Sequence, residues 1–279
     1  MRLNGNQFRV WDQKAITLLG MSGVGKTRIA RILRRHHWFH YSCDYRIGTR
    51  YLDEDILDNI KQQAMQVPFL QELLRSDSIH IANNIGIDNL DPLSTFLGKV
   101  GNPESGGIGL AEFKRRQALH RSAEIAAMHD VSKFIQKAHE IYGYDHFIND
   151  ASGSLCELDD EKVMLALAEN TLIIYIKSTE DNDKELLKRA ETDLKPLYYR
   201  ETFLEKHIAI YMDQQQLEYA ALIEPDDFIR WVFPRLYEKR LPRYEKIADD
   251  YGYTVTTSEI ENIENETGFI ELIEDVLSR

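Results

Sequence analysis

Cysteine is scarce: Cys43 and Cys156 are the two in 279 residues. Two are too few for a disulfide framework, and their spacing carries no zinc pattern. A cytoplasmic compartment is therefore the expectation. Long apolar runs are missing too. No stretch approaches the roughly 18 residues that span a bilayer. Met1 to Lys14 is polar with a single Trp, so neither a leader nor an anchor is expected there, and no membrane partner. Positive charge is in deficit, with 34 Lys and Arg against 46 Asp and Glu and a net charge of −12. That balance argues against nucleic acid as the main partner, but leaves room for a local basic pocket around a phosphorylated substrate. Ser152 and Ser154 lack a G-x-S-x-G elbow, and no N-K-x-D guanine motif occurs. Repeats, low-complexity tracts and Ser/Pro linkers are absent as well. What remains, 43% hydrophobic and 29% charged, suits a globular chain with a sizeable core.

The most informative stretch is Gly20-Met21-Ser22-Gly23-Val24-Gly25-Lys26-Thr27, which reads G-x-x-x-x-G-K-T. Ala15 to Leu19 before it is an apolar, β-branched run that predicts a buried strand. Arg28 to Leu33 after it places apolar residues at helical spacing, so a helix should begin near Gly25. Glycines let the backbone wrap an anion and accept positive φ. Successive N–H groups and the helix N-terminus then point at phosphates. Gly20, Ser22, Gly23, Val24, Gly25, Lys26 and Thr27, with the adjoining Arg28, form the expected nucleotide-binding set. Lys26 would reach the β and γ phosphates, and Thr27 would place its hydroxyl on Mg²⁺.

Further along, 38–44 reads as a second strand ending at Asp44. A helix between two strands predicts a parallel sheet. Helices are expected over 51–66, from Pro68 to about Arg75, over 110–129 and over 131–142. Between 77 and 109, repeated Gly, Asn and Pro predict a long loop, within which 78–82 could form a strand. His146 to Asp150 and 171–177 read as further core strands. Asn182 with Glu185 predicts a capped helix to about Ala190. Helices are expected over 203–221, 226–237 and 242–251, then a strand over 253–257. Ser258 with Glu261 reads as a capping box opening a terminal helix to about Leu277. Phe8 to Trp11 reads as a short strand or clasp. The chain divides as a single domain, core 1–45 and 146–279, with 46–145 inserted.

These residues resemble the phosphate-loop kinases of the nucleoside-monophosphate-kinase and shikimate-kinase group. The likeness rests on the strand and loop at 15–27, on Asp44 closing the second strand, and on the position of the insert. It rests also on Lys184, Lys188, Arg189 and Lys195, where those kinases carry a basic lid. The paired Asp-x-Asp of shikimate kinase is absent, since position 42 is Ser. The resemblance implies a three-layer α/β/α fold with a five-stranded parallel sheet of order 2-3-1-4-5 and a mostly helical insertion. It also implies ATP and Mg²⁺ as cofactors.

Phosphoryl transfer needs positioning and charge neutralisation above all. Lys26, Asp44 and Arg189 are the candidate catalytic residues. Asp44 follows a strand's C-terminal end, where ligands bind in open α/β sheets; it would orient or deprotonate the acceptor, or else cap a turn. Arg46 and Arg50 beside it suggest a pocket for a carboxylate or phosphate, or surface charge paired with Asp53 to Asp55. Thr27 and Asp150 are the candidate metal residues. Lys114, Arg115, Arg116 and Arg121 read as a helix face. Neither His36, His37 and His40 nor His120, His129 and His139 have ligand spacing for another metal. The expected activity is ATP-dependent transfer of a phosphoryl group to a hydroxyl or phosphate of a small metabolite. The rivals are an ATPase switch read by a protein partner and a toxin-like kinase with a nucleotide-sugar acceptor.

Overall fold

A computed structural model describes residues 2–279, the side chains of 189 and 190 excepted. The chain forms two compact units. The first comprises Met1–Cys43, Glu124–Leu194 and Asp226–Arg279; the second comprises Asp44–Ala123 and Lys195–Pro225.

The first unit is built on five strands: β1 (Ala15–Leu19), β2 (Trp38–Ser42), β3 (His146–Asp150), β4 (Leu172–Lys177) and β5 (Gly252–Thr256). All neighbours are parallel, in the order β2-β3-β1-β4-β5. This is the order that the resemblance implies. Every residue of β1 is buried, as expected of a central parallel strand covered on both faces. Thr17 tolerates this because its hydroxyl meets that of Thr171 at 2.8 Å and accepts from Asn149 Nδ2 at 3.1 Å. Stacked Phe39 and Phe147, partners across β2 and β3, lie 5.7 Å apart between ring centroids. Trp38 packs edge-on against Phe269 of the helix Glu266–Val276 and donates its indole N–H to Glu266 at 2.6 Å.

The helix Pro225–Tyr251 runs unbroken through Pro234 and Pro242, where the sequence predicts two helices, 226–237 and 242–251. A mid-helix proline costs about 3 kcal/mol. Against that, Phe228, Ile229, Val232, Leu236, Tyr237 and Tyr244 are all buried on one side, and each large apolar side chain contributes roughly 1.5–3 kcal/mol. Packing wins, and Pro242 sits exposed on the far side.

Other boundaries differ from expectation. β2 ends at Ser42, and Asp44 falls in a helical turn, Cys43–Arg46, that widens into a π-type turn over Ile47–Tyr51. An acid in a first helical turn is favoured by the helix dipole, which explains the early exit from the strand. Residues 78–82 form no strand, whereas Asp91–Leu97, inside the expected loop, is a helix with Pro in its first turn. Phe8 lies in the short helix Gly5–Arg9. The box at the end of β5 uses Thr256 and Glu259 rather than Ser258 and Glu261, and it opens only Thr257–Glu261; a separate helix follows. In the second unit, Pro68–Arg75 matches its expected bounds, and 51–66 narrows to Asp53–Ala64. No helix among the described residues is long and apolar enough to cross a membrane.

Candidate functional site

The loop after β1 has the shape its glycines permit. Gly20, Gly23 and Gly25 have φ of 144°, 93° and 101°. At Gly20 a Cβ would lie 2.7 Å from the Ile176 carbonyl oxygen of β4, so only glycine fits. Gly25 is the N-cap of the helix Lys26–Leu33 and offers no side chain to the first-turn amides. Those donors, which every helix leaves without intrahelical partners, therefore suit an anion.

Lys26 is 6% exposed. Its Nζ folds back to donate to the carbonyls of Gly20 at 2.8 Å and Met21 at 3.0 Å. Thr27 donates its hydroxyl to Asp150 Oδ2 at 2.7 Å. Asp150 closes β3 and is nearly buried. The structure thus joins two residues 123 positions apart that the sequence singles out for one role. A hydroxyl and a carboxylate are hard oxygen donors and suit Mg²⁺, which is usually held by one or two protein ligands plus phosphate oxygens. Among the described residues no group of three or more His, Cys, Asp or Glu forms an all-protein metal cage, so the donor set fits a cation shared with a nucleotide.

The segment after β3 packs onto this loop. A Cβ at Gly153 would lie 3.0 Å from the Ser22 amide nitrogen. The Gly153 carbonyl accepts from Arg240 Nη1 at 3.0 Å and from the Tyr244 hydroxyl at 2.9 Å, both on the helix Pro225–Tyr251. Arg240 Nε stands 3.5 Å from Glu157, whose side chain is 0% exposed. Ser154 donates to Glu124 at 2.7 Å. Burial pushes the Cys156 thiol up to about 12, so it stays protonated.

Beside the loop lies an open cleft of about 390 Å³, lined by Val24, Gly25, Arg28, Asn182, Leu186 and Ile260 among others. That volume suits a small-molecule ligand. Arg28 is exposed but pinned: its guanidinium donates to the carbonyls of Ile260, Glu261 and Ile263 at 2.7–3.0 Å and ties down the segment after β5. Asn182 does not cap its helix as expected. It sits inside Glu180–Thr192, and its Oδ1 accepts from the hydroxyls of Thr179 and Thr257, joining the segments after β4 and β5. Tyr237 holds Ser178 and Asp183 of the same wall. Its phenol is pushed up to about 12 by burial and by the Asp183 carboxylate.

Asp44, Arg46 and Arg50 belong to the second unit. Asp44 is half-buried and Arg50 is exposed. Arg46 lies over the Tyr51 ring, 5.5 Å from its centroid. Asp53 accepts from Asn83 at 2.9 Å, and Asp55 meets Arg115 at 3.6 Å. Of the basic helix face, Lys114 pairs with Glu201 and Glu205, while Arg115 and Arg116 both bind Glu112. The hydrogen bond from Arg115, with Arg116 beside it, holds the Glu112 carboxyl down at about 2. Lys184 is exposed beside Asp181, and Lys195 falls in the second unit. The Arg189 side chain lies outside the described residues.

Asn182, Ile260, Arg240 and Glu157 were not legible as site residues. Asn182 reads as a helix cap, and Arg240 is one of many charges in a helical run. His40 carries a signal, a polar residue within an apolar strand, although with His36 and His37 it has no ligand spacing.

No protein-family model matches the chain, and no curated protein matches it. Among solved structures, a shikimate kinase from Bacteroides thetaiotaomicron is 16% identical, with a TM-score of 0.41, over 95% of this chain and 99% of that one. A shikimate kinase from Acinetobacter baumannii in complex with shikimate is 12% identical, with a TM-score of 0.42, over 98% and 94%. Likeness at this level carries no argument about chemistry, which rests on the geometry above.

Proposed function

We propose that the chain is an ATP-dependent phosphotransferase that moves the γ-phosphoryl group of Mg-ATP to a hydroxyl or phosphate of a small metabolite. One observation carries this reading: Lys26, the amides of the 20–25 loop and the Thr27–Asp150 pair meet at the C-terminal edge of a parallel sheet, beside an open cleft. Ligands bind at that edge in open α/β sheets.

In this reading Gly20, Ser22, Gly23, Val24 and Gly25 present backbone amides to the triphosphate. Lys26 exchanges its two loop carbonyls for phosphate oxygens, and its buried ammonium then opposes charge that develops in transfer. Thr27 and Asp150 hold the cation, and Mg²⁺ when bound neutralises charge on the β and γ oxygens. The cleft with Arg28, Asn182 and Ile260 takes the nucleoside. Asp44 orients the acceptor hydroxyl or takes its proton, Arg46 and Arg50 recognise an anionic group on the acceptor, and Arg189 closes over the phosphates.

The test is acceptor dependence with purified protein. ATP consumption should rise with a metabolite pool and yield a phosphorylated product. Lys26→Met should abolish it, and Asp44→Asn should cut turnover by orders of magnitude while ATP binding survives. Hydrolysis stimulated by a protein partner, with no phosphorylated metabolite, would replace the kinase reading by the switch. Failure of the wild type to bind any magnesium–nucleotide would remove both.

A further inference from the structure

His40 is buried in the middle of β2, with its side chain 1% exposed. Neither ring nitrogen has a hydrogen-bond partner. Nε2 nevertheless stands 3.6 Å from Asp150 Oδ2, the same oxygen that accepts the Thr27 hydroxyl. The sheet register explains the meeting. His40 pairs with Ile148 and Ser42 with Asp150, so His40 and Asp150 share a face two residues apart along the sheet. His40 thus reaches Asp150 from deeper in the sheet, while Thr27 reaches it from the neighbouring helix.

A buried imidazole without partners is costly, because water would have satisfied both nitrogens. A phenylalanine or leucine would fill the same volume without that penalty. The position therefore asks for a reason beyond packing, and the adjacent carboxylate supplies one. A contact of 3.6 Å falls a few tenths of an ångström short of a good N–H···O bond.

We infer that His40 is a positioning residue for the cation site. With a small closure of the 3.6 Å gap, Nε2 donates to Asp150 Oδ2 and fixes the carboxylate plane, so that Asp150 meets the Thr27-bound cation in one orientation. Groups of this kind, which touch the metal only through its ligand, commonly set metal affinity. The inference rests on the proposed triphosphate–cation site and adds to it a residue that never touches cation or nucleotide.

Mn²⁺ serves as the probe, because its free concentration is read directly by electron paramagnetic resonance. Uptake is measured with ADP present for the wild type, His40→Phe, His40→Gln and Thr27→Val. Affinity for ADP in EDTA and the thermal midpoint are measured alongside. His40→Phe, which keeps an aromatic ring but removes both nitrogens, should weaken Mn²⁺ uptake about tenfold, with metal-free ADP affinity unchanged. His40→Gln, whose amide N–H₂ reaches the place of Nε2, should restore most of the loss. Equal uptake by wild type and His40→Phe overturns the inference. So does an equal loss in both His40 variants that tracks a lowered thermal midpoint, since that is a packing role. If the wild type takes up no Mn²⁺ with ADP, or Thr27→Val matches it, the underlying site reading falls instead.

Discussion

Replacing Arg240 tests what holds the loop after β3 in place. Its guanidinium is nearly buried, 3.5 Å from a Glu157 side chain that is fully buried, and it donates to the Gly153 carbonyl. At that separation and an effective dielectric of about 20, the attraction is about 5 kcal/mol. Desolvating two charges offsets most of it, so the intact pair adds little net stability. The single variant is different. Arg240→Met keeps the bulk but leaves the buried carboxylate with the more distant Arg243, 3.9 Å away, and breaking such a pair typically costs about 3–5 kcal/mol. A domain holds about 5–15 kcal/mol in total. In urea, with a slope near 3 kcal/mol/M, the midpoint should fall by roughly 1–2 M. The double variant Arg240→Met with Glu157→Met should recover most of that loss, because it removes both charges together. Nucleotide affinity should stay weakened in both variants, since the Gly153 carbonyl keeps only Tyr244 beside Ser22. The reasoning fails if the single variant loses under about 1 kcal/mol, or if the double variant is no more stable than the single.

Two further outcomes follow from neighbouring geometry. Gly20→Ala forces a Cβ to within 2.7 Å of the Ile176 carbonyl at a φ of 144°, so a stability loss of roughly 2–4 kcal/mol is expected by chemical denaturation, with nucleotide uptake lost; a near-neutral variant would mean the loop relaxes freely. His146 accepts the Lys14 amide on Nδ1, and burial, with Lys14 nearby, lowers its pKa below the usual 6.5. The unfolded chain thus takes up that proton more readily. His146 contributes stability that is full above about pH 6.5 and is lost as pH falls through its folded value. Thermal midpoints between pH 7.5 and 5 should show less of this decline in His146→Gln, and an unchanged slope would assign it elsewhere.

The core was legible because parallel strands announce themselves. 172–176 is a continuous apolar run, 146–150 is centred on Phe147 and Ile148, and the glycines and lysine of 20–26 admit few other shapes. What stayed hidden depends on groups distant in sequence. Pro242 reads as the start of a separate helix because local propensity cannot weigh the buried face of 225–251. Asn182 reads as a cap because its fixed local spacing to Glu185 says nothing of Thr257, 75 residues on. Asp44 reads as the end of a strand because Cys43 extends the apolar run, whereas the acid itself favours the helical turn it enters.

The hidden features share a physical character. Stability alone would replace a buried ion pair such as Arg240–Glu157, or an unbonded imidazole such as His40, with apolar side chains. Both instead bear on the residues that close β3. His40 touches Asp150 within the sheet, and Arg240 grips Gly153 three residues later. Between them the chain passes from the proposed cation ligand to the close contact with Ser22. A segment met by directional polar contacts at both ends is held more narrowly than one resting on apolar side chains, which would let it slide. Departures from the most stable choice are expected where a site needs fixed geometry. In the proposed reading, the 150–157 segment therefore belongs to the phosphate-binding apparatus rather than serving as a mere connection between strands. Variants at His40 should weaken cation uptake and variants at Arg240 nucleotide uptake, although neither residue meets the ligand.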